Sequence, residues 1–198
     1  MLDVQTDVLA ALAKLQTITE ARQFRFAVAK ALTKTAVEVQ AEVRKNMPSR
    51  FTIRRPWTLQ GIRIVPATKE SLTASVYSRD KFMALQETGG TKNPLGNFIA
   101  IPTRAVRRTK RDSIRLSDRP KALGDKAHVV DVNGDKYLAL KKPRRGKNGN
   151  ELRLLYLLVP RAQLEERLGL NKDGQRVARA RFVENLRVAL AAAVATAR

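Results

Sequence analysis

The 198-residue chain contains no cysteine and a single histidine, His128. Without thiols it can form no disulfide, no thiolate zinc site and no cysteine nucleophile. One histidine excludes His-rich metal centres and leaves little for a histidine-based catalytic triad. Aromatic residues make up 5% of the chain, and Phe82, Phe98, Tyr137 and Tyr156 sit in apolar contexts rather than among arginines. A base-stacking platform is therefore not expected. No run approaches the roughly 18 apolar residues of a membrane-spanning helix, so no membrane partner is expected. The opening Met1-Leu2-Asp3-Val4 lacks a basic region leading into an apolar one. The expectation is a soluble protein made in a reducing cytosol, with no secretory signal.

Acidic residues are scarce as well: 18 Asp and Glu face 39 Lys and Arg, a formal net charge of +21. Such a balance points to a polyanion or an acidic neighbour in an assembly. The excess is uneven. Residues 91–161 hold 18 basic and 6 acidic side chains, against 8 and 5 in residues 1–50. Two blocks stand out. One is Arg104 with Arg107, Arg108, Lys110, Arg111 and Arg115; the other is Lys141, Lys142, Arg144, Arg145 and Lys147. Both are read as exposed basic loops or arms, over about 103–127 and 141–150, the second ending in the turn formers Gly146-Lys147-Asn148-Gly149-Asn150. Simple solubility would not require so high a charge.

Apolar periodicity supplies the scaffold. Val28, Leu32, Thr35/Ala36, Val39 and Val43 recur at spacings of three and four, predicting a long helix over about 20–47 with Pro48 as its stop. Glu38 and Glu42 lie off most of that stripe. A shorter helical pattern covers residues 8–15, and Thr17 or Thr19 is placed to cap the long helix. Residues 51–57 read as an extended linker carrying the only tryptophan, Trp57, as a core lid or an interface anchor. Alternation over 62–65 and 72–77 predicts a hairpin, and Asn133-Gly134 between 128–132 and 135–140 predicts another. The near-continuous apolar run 152–159 suits a strand covered on both faces, closed by Pro160. A short helix is expected over 160–168, stopped by Gly169. After Asp173-Gly174 a last helix should present Phe182, Leu186 and Leu190 on one face, with Ala189 and Val194 at its edge. The sum is a single α+β domain over 1–198: an antiparallel sheet packed with a long N-terminal and a C-terminal helix, with extended basic loops.

No constellation for catalysis emerges. Gly89-Gly90 and Gly146 lack the spacing of a phosphate-binding loop, and no Gly-Lys-Ser/Thr occurs. A metal-dependent nuclease would need paired carboxylates. Asp112, Asp118, Asp125, Asp131 and Asp135 are instead interleaved with Lys and Arg in no ligand motif, as local charge balance would place them. His128 reads as a structural or surface residue. Zinc-finger spacing and a helix-turn-helix are also missing, so any DNA contact should be to phosphates and insensitive to sequence. The expectation is a protein that is not an enzyme and uses no cofactor or metal. The nuclease and a nucleoid-type, sequence-nonspecific DNA binder are the alternatives.

One stretch has a familiar order. Leu85-Gln86-Glu87-Thr88-Gly89-Gly90 follows a helix and hairpin; Lys92-Asn93-Pro94 and Phe98-Ile99-Ala100-Ile101-Pro102 come next, and Tyr156-Leu157-Leu158-Val159-Pro160 precedes the last helix. This arrangement, over about 24–105 and 150–198, resembles tailed-bacteriophage tail-completion proteins of the minor tail protein Z family and the related head–tail joining and neck proteins. Residues 107–147 match no part of that pattern. The resemblance implies a structural virion protein, made in the host cytoplasm, that forms a ring of usually six copies between tail tube and head connector. Its partners would be further copies of itself, other neck, connector and tail-tube proteins, and genome DNA touched through phosphates. Trp57, Glu87, Gly89, Gly90, Pro94, Phe98 and Pro102 become the candidate assembly-interface residues. The glycines would permit a turn or close approach there, and the prolines would stiffen the segment that follows.

Overall fold

A computed structural model describes residues 18–143 and 150–196. The expected helix over 8–15, the cap at Thr17 and the cations Arg144, Arg145 and Lys147 lie outside the described residues. The chain is α+β and divides into two compact units: Met1–Glu87 with Arg167–Arg198, and Thr88–Glu166.

The first unit is built on α1 (Ile18–Arg50) and the C-terminal helix. The stripe Val39, Val43 and Met47 of α1 packs with Ile62, Met83, Leu168 and Val177 in one core. Farther along, Ala27 and Ala31 meet Ala189 and Ala193 of the C-terminal helix, flanked by Phe182, Leu186 and Leu190. The alanines, not the larger residues, are the buried centre of that seam, and Val194 is 75% exposed. Small side chains let two helices approach closely, so the bulky residues wrap the contact instead of forming it. Glu38 and Glu42 also belong to the helix pair: Arg181 and Asn185 donate to Glu38, and Arg176 donates to Glu42.

α1 does not stop at Pro48. Its last turn runs on to Arg50 because later contacts hold it: Phe51 N–H donates to the Met47 carbonyl at 2.9 Å, and the Arg50 guanidinium donates to the Leu168 carbonyl and to Asp173. At the other end, Thr19 and Glu20 already lie within the helix. Residues 51–56 are irregular, and Trp57 opens a single turn, α2 (Trp57–Gln60). β1 (Ile62–Val65) and β2 (Ser75–Ser78) form the expected antiparallel pair, with Ile62 opposite Ser78; Leu72 and Ala74 precede the strand. Gln40 and Arg44 of α1 donate to the Ile62 carbonyl, so α1 satisfies a free acceptor of β1. α3 (Phe82–Thr88) follows.

In the second unit, β4 (Ile99–Pro102), β5 (Ala127–Val132), β6 (Asp135–Pro143) and β7 (Asn150–Val159) form an antiparallel sheet in the order β4-β7-β6-β5. The apolar run thus becomes an inner strand, as its composition predicts. Asn133 (φ 55) and Gly134 (φ 85) make the turn between β5 and β6, with the Gly134 N–H on Asp131. One face of the sheet carries Ala100, Leu138, Leu140, Tyr156 and Leu158, packed beneath Val106, Ile114 and Leu123, the last residue of the single-turn helix α4 (Pro120–Leu123). A second, smaller sheet pairs β3 (Gly90–Lys92) with β8 (Ala162–Leu164).

Two expectations fail after Pro160. Instead of a helix over 160–168 there is β8, because β3 offers its backbone groups to Ala162–Leu164. Beyond it, the Arg167 and Leu168 N–H groups are both taken by the Gln86 carbonyl at 2.7 and 2.8 Å. The last helix, α5 (Leu170–Thr196), begins three residues before Asp173. Its start is fixed by Glu87, whose carboxylate accepts from the Leu170 and Asn171 N–H groups at 2.7 and 2.8 Å. A carboxylate there satisfies unpaired donors and faces the positive end of the helix dipole.

Candidate polyanion-contact site

Between β4 and β5, residues 104–126 carry nine Lys and Arg against three Asp. Arg108 bridges to Ile114, Arg115 N–H donates to the Arg107 carbonyl at 3.1 Å, and Thr109 N–H donates to the Ser113 carbonyl at 2.8 Å. Residues 107–115 are therefore a backbone-bonded finger rather than an open arm. Lys110 and Arg111 stand at its tip, where Asp112 takes a left-handed φ of 55°.

The base of the finger is clasped by Asp118, at the end of a single turn, Leu116–Asp118. Its side chain is 1% exposed. The Arg107 Nη2 donates to it at 2.6 Å, Arg107 Nε at 3.1 Å, the Arg107 backbone N–H at 2.9 Å and the Ser117 hydroxyl at 3.1 Å. Arg153 of β7 stands 3.8 Å away and donates to the Ala105 carbonyl, while the Tyr156 hydroxyl donates to the Asp118 carbonyl at 2.7 Å. The Arg107 hydrogen bonds outweigh the opposing effect of burial and hold the Asp118 carboxyl well below the usual carboxylate range. Burial, with the Asp118 charge beside it, pushes the Tyr156 phenol up.

The predicted cations therefore divide. Arg107 is committed to Asp118, and Arg108 lies 3.4 Å from Asp112. Arg104, Lys110, Arg111 and Arg115 are exposed, and none joins a salt bridge among the described residues. Arg119, Lys121 and Lys126 share that condition, although sequence reasoning did not single them out. Lys141 and Lys142 are not in a loop: they belong to β6, opposite Leu152 and Glu151. They join the sheet because the strand continues to Pro143, beyond the apolar alternation that ends at Leu140. Asp118 itself read as one of several charge-balancing aspartates; only Ser117 beside it and the surrounding cations hinted at more.

The candidate assembly residues divide too. Glu87 caps α5. Gly89 has φ 67, and a Cβ there would meet the Leu164 carbonyl at 3.2 Å and the Glu166 nitrogen at 3.3 Å. Gly90 (φ 114) opens β3 opposite Leu164. These three serve the fold directly. Trp57 stays 45% exposed, edge-on to Phe82. Pro94 is partly buried, Pro102 pairs with Tyr156, and Lys136 Nζ lies over the Phe98 ring at 5.5 Å.

No group of three metal-ligating side chains is placed to hold an ion among the described residues, and no described helix is long and apolar enough to cross a membrane. In the first unit an apolar cleft of about 660 Å³ lies between α1 and α5, floored by Leu32, Val39, Val76 and Phe182. Arg179 is its one charged lining residue among those described, so the cleft holds no acid–base pair.

No curated protein and no solved structure matches the chain. A family model described as a family of unknown function (DUF6441) matches residues 1–193, and the chain belongs to that family.

Proposed function

We propose that this chain is a structural virion protein of the tailed-phage neck or tail, a non-enzymatic ring subunit that completes the tail and joins it to the head connector. The observation that carries the reading is the set of outward cations Lys110, Arg111 and Arg115 on an ordered finger, with Arg104 just before it, where the carboxylates Asp112 and Asp118 are already engaged. Basic loops repeated around a ring would meet genome DNA or acidic neck proteins at many points, and avidity would make weak single contacts sufficient. The order of motifs from Leu85 to Pro102 and from Tyr156 to the last helix supports placement among tail-completion proteins. Trp57 and Phe98, which stay exposed, are the side chains best presented to neighbouring subunits.

Electron microscopy of purified particles tests the reading. A ring between head and tail should be present in particles made with the chain and missing from those made without it. Complete, infectious particles lacking the protein would refute the assignment. DNA binding without any place in a particle would favour the nucleoid-type alternative.

A further inference from the structure

Residues 104–126 hold nine Lys and Arg against three Asp. Two of those aspartates are already spent within the fold, Asp118 on Arg107 and Asp112 on Arg108. Outside those two pairs stand seven cations and Asp125, so the segment keeps its surplus of six positive charges.

The same segment lacks what a protein-docking surface uses. It has no aromatic residue, and its one large exposed apolar side chain is Leu116, at 69%. Protein interfaces place aromatic anchors, with Met and single Arg side chains, at a desolvated centre and are depleted of clustered charge there. Residues 103–126 also contain no Asn or Gln, the side chains that pair with adenine edges. Phosphates, in contrast, require only cations and hydrogen-bond donors in a fixed arrangement. The finger meets that condition, because the bridge from Arg108 to Ile114 and the Asp118 clasp order its backbone before any partner arrives.

We infer that the polyanion facing the 107–115 finger is duplex DNA, held through its phosphates by Arg104, Lys110, Arg111 and Arg115 without regard to sequence. The inference rests on reading this segment as a polyanion-facing surface. Arg107 is a positioning residue: it sets the finger through Asp118 and does not itself touch DNA.

The test is fluorescence anisotropy of the full chain with two unrelated labelled duplexes of about 30 base pairs, between about 50 and 200 mM salt. Both duplexes should bind equally. Replacing Arg104, Lys110, Arg111 and Arg115 by Ala should reduce the slope of log K against log salt by about 3–4 and weaken binding more than tenfold at low salt. The tip pair Lys110→Ala/Arg111→Ala alone should reduce the slope by about 2. A charge-matched control in the first unit, Arg22→Ala, Lys30→Ala, Lys34→Ala and Arg187→Ala, should leave most of the slope in place. Equal losses in the two sets, or an unchanged slope in the finger variants, would overturn the inference. So would tighter binding to polyglutamate than to duplex, which would assign the finger to an acidic protein. A wild-type chain that ignores DNA likewise ends this inference, while the ring is judged separately by micrographs.

Discussion

Arg107 and Arg108 are neighbours with the same chemistry and different roles, and the difference lies in which carboxylate each one reaches. Arg108 meets Asp112, which is itself half in solvent, so that pair contributes about 0–1 kcal/mol at most. Asp118 is buried and accepts from four donor groups of Arg107 and Ser117, each losing its acceptor if the carboxylate goes. Asp118→Ala should cost about 2–3 kcal/mol, the range for hydrogen bonds to a charged group left unmade. Arg108→Ala should change stability by no more than about 1 kcal/mol. The acid dependence has a definite sign. The folded Asp118 carboxyl titrates below its unfolded value of 3.8, so its stabilisation is complete above about pH 5 and is lost as pH falls through 4 toward the folded value. Asp173 adds to the same acid limb: burial raises its carboxyl, but hydrogen bonds from Arg50 and Asn46 outweigh it and leave the net shift downward. Urea midpoints of wild type and Asp118→Ala, measured from pH 7 to about pH 3, should therefore converge on acidification. A gap that stays constant with pH would mean the Asp118 charge is not what the clasp uses.

The two long helices show what an element owes to its own sequence and what it owes to distant residues. Glu87 lies 83 residues before the first amide it caps, Leu170 N–H. Glu87→Ala should cost about 1 kcal/mol, in the range of lost N-terminal caps, with Glu87→Gln retaining part of it. Hydrogen exchange locates the effect: the Leu170 and Asn171 amides should exchange faster while amides in the middle of α5 do not. Uniform acceleration along α5 would place the role of Glu87 elsewhere. This cap also explains what could be read from the chain. The β5–β6 hairpin, the inner strand β7 and the stripe of α1 depend on residues a few positions apart, and their periods and turn residues declare them. The start of α5, the strand β8 and the last turn of α1 beyond Pro48 depend on partners remote in sequence, and local propensity points the other way in each; the Asp118 clasp joins residues 11 apart with no period to declare them. The basic finger was legible as charge but not as structure. Composition located Arg104 to Arg115, yet only the fold separates the committed Arg107 from Lys110 and Arg111 at the tip. The alanine seam was likewise hidden, because Ala189 and Ala193 look like generic helix formers until Ala27 and Ala31 are set against them.

At the scale of the whole chain, the excess of 21 positive charges has an energetic consequence independent of any partner. The second unit carries 18 basic and 8 acidic residues in 79 positions, and the first carries 21 and 10 in 119, so both repel themselves. At about 10 mM salt the screening length is near 30 Å, long enough for cations across a unit to interact; at about 150 mM it is near 8 Å. The thermal midpoint of the purified chain should therefore rise as NaCl is added over that range. The exposed pairs Arg176–Glu42 and Arg181–Glu38 pull the other way, since salt weakens attraction too. Each such pair contributes about 0–1 kcal/mol, too little to reverse a surplus this large. Duplex DNA should act in the same direction as salt and through the finger. At a hundredfold excess over Kd, a single-site ligand adds about 2.7 kcal/mol to the folded state. That increment should shrink in the Arg104, Lys110, Arg111 and Arg115 variant, whereas the response to NaCl should remain. A midpoint that falls with NaCl would show that attraction across the helix pair outweighs repulsion. The surplus charge would then have to be explained by its partners alone.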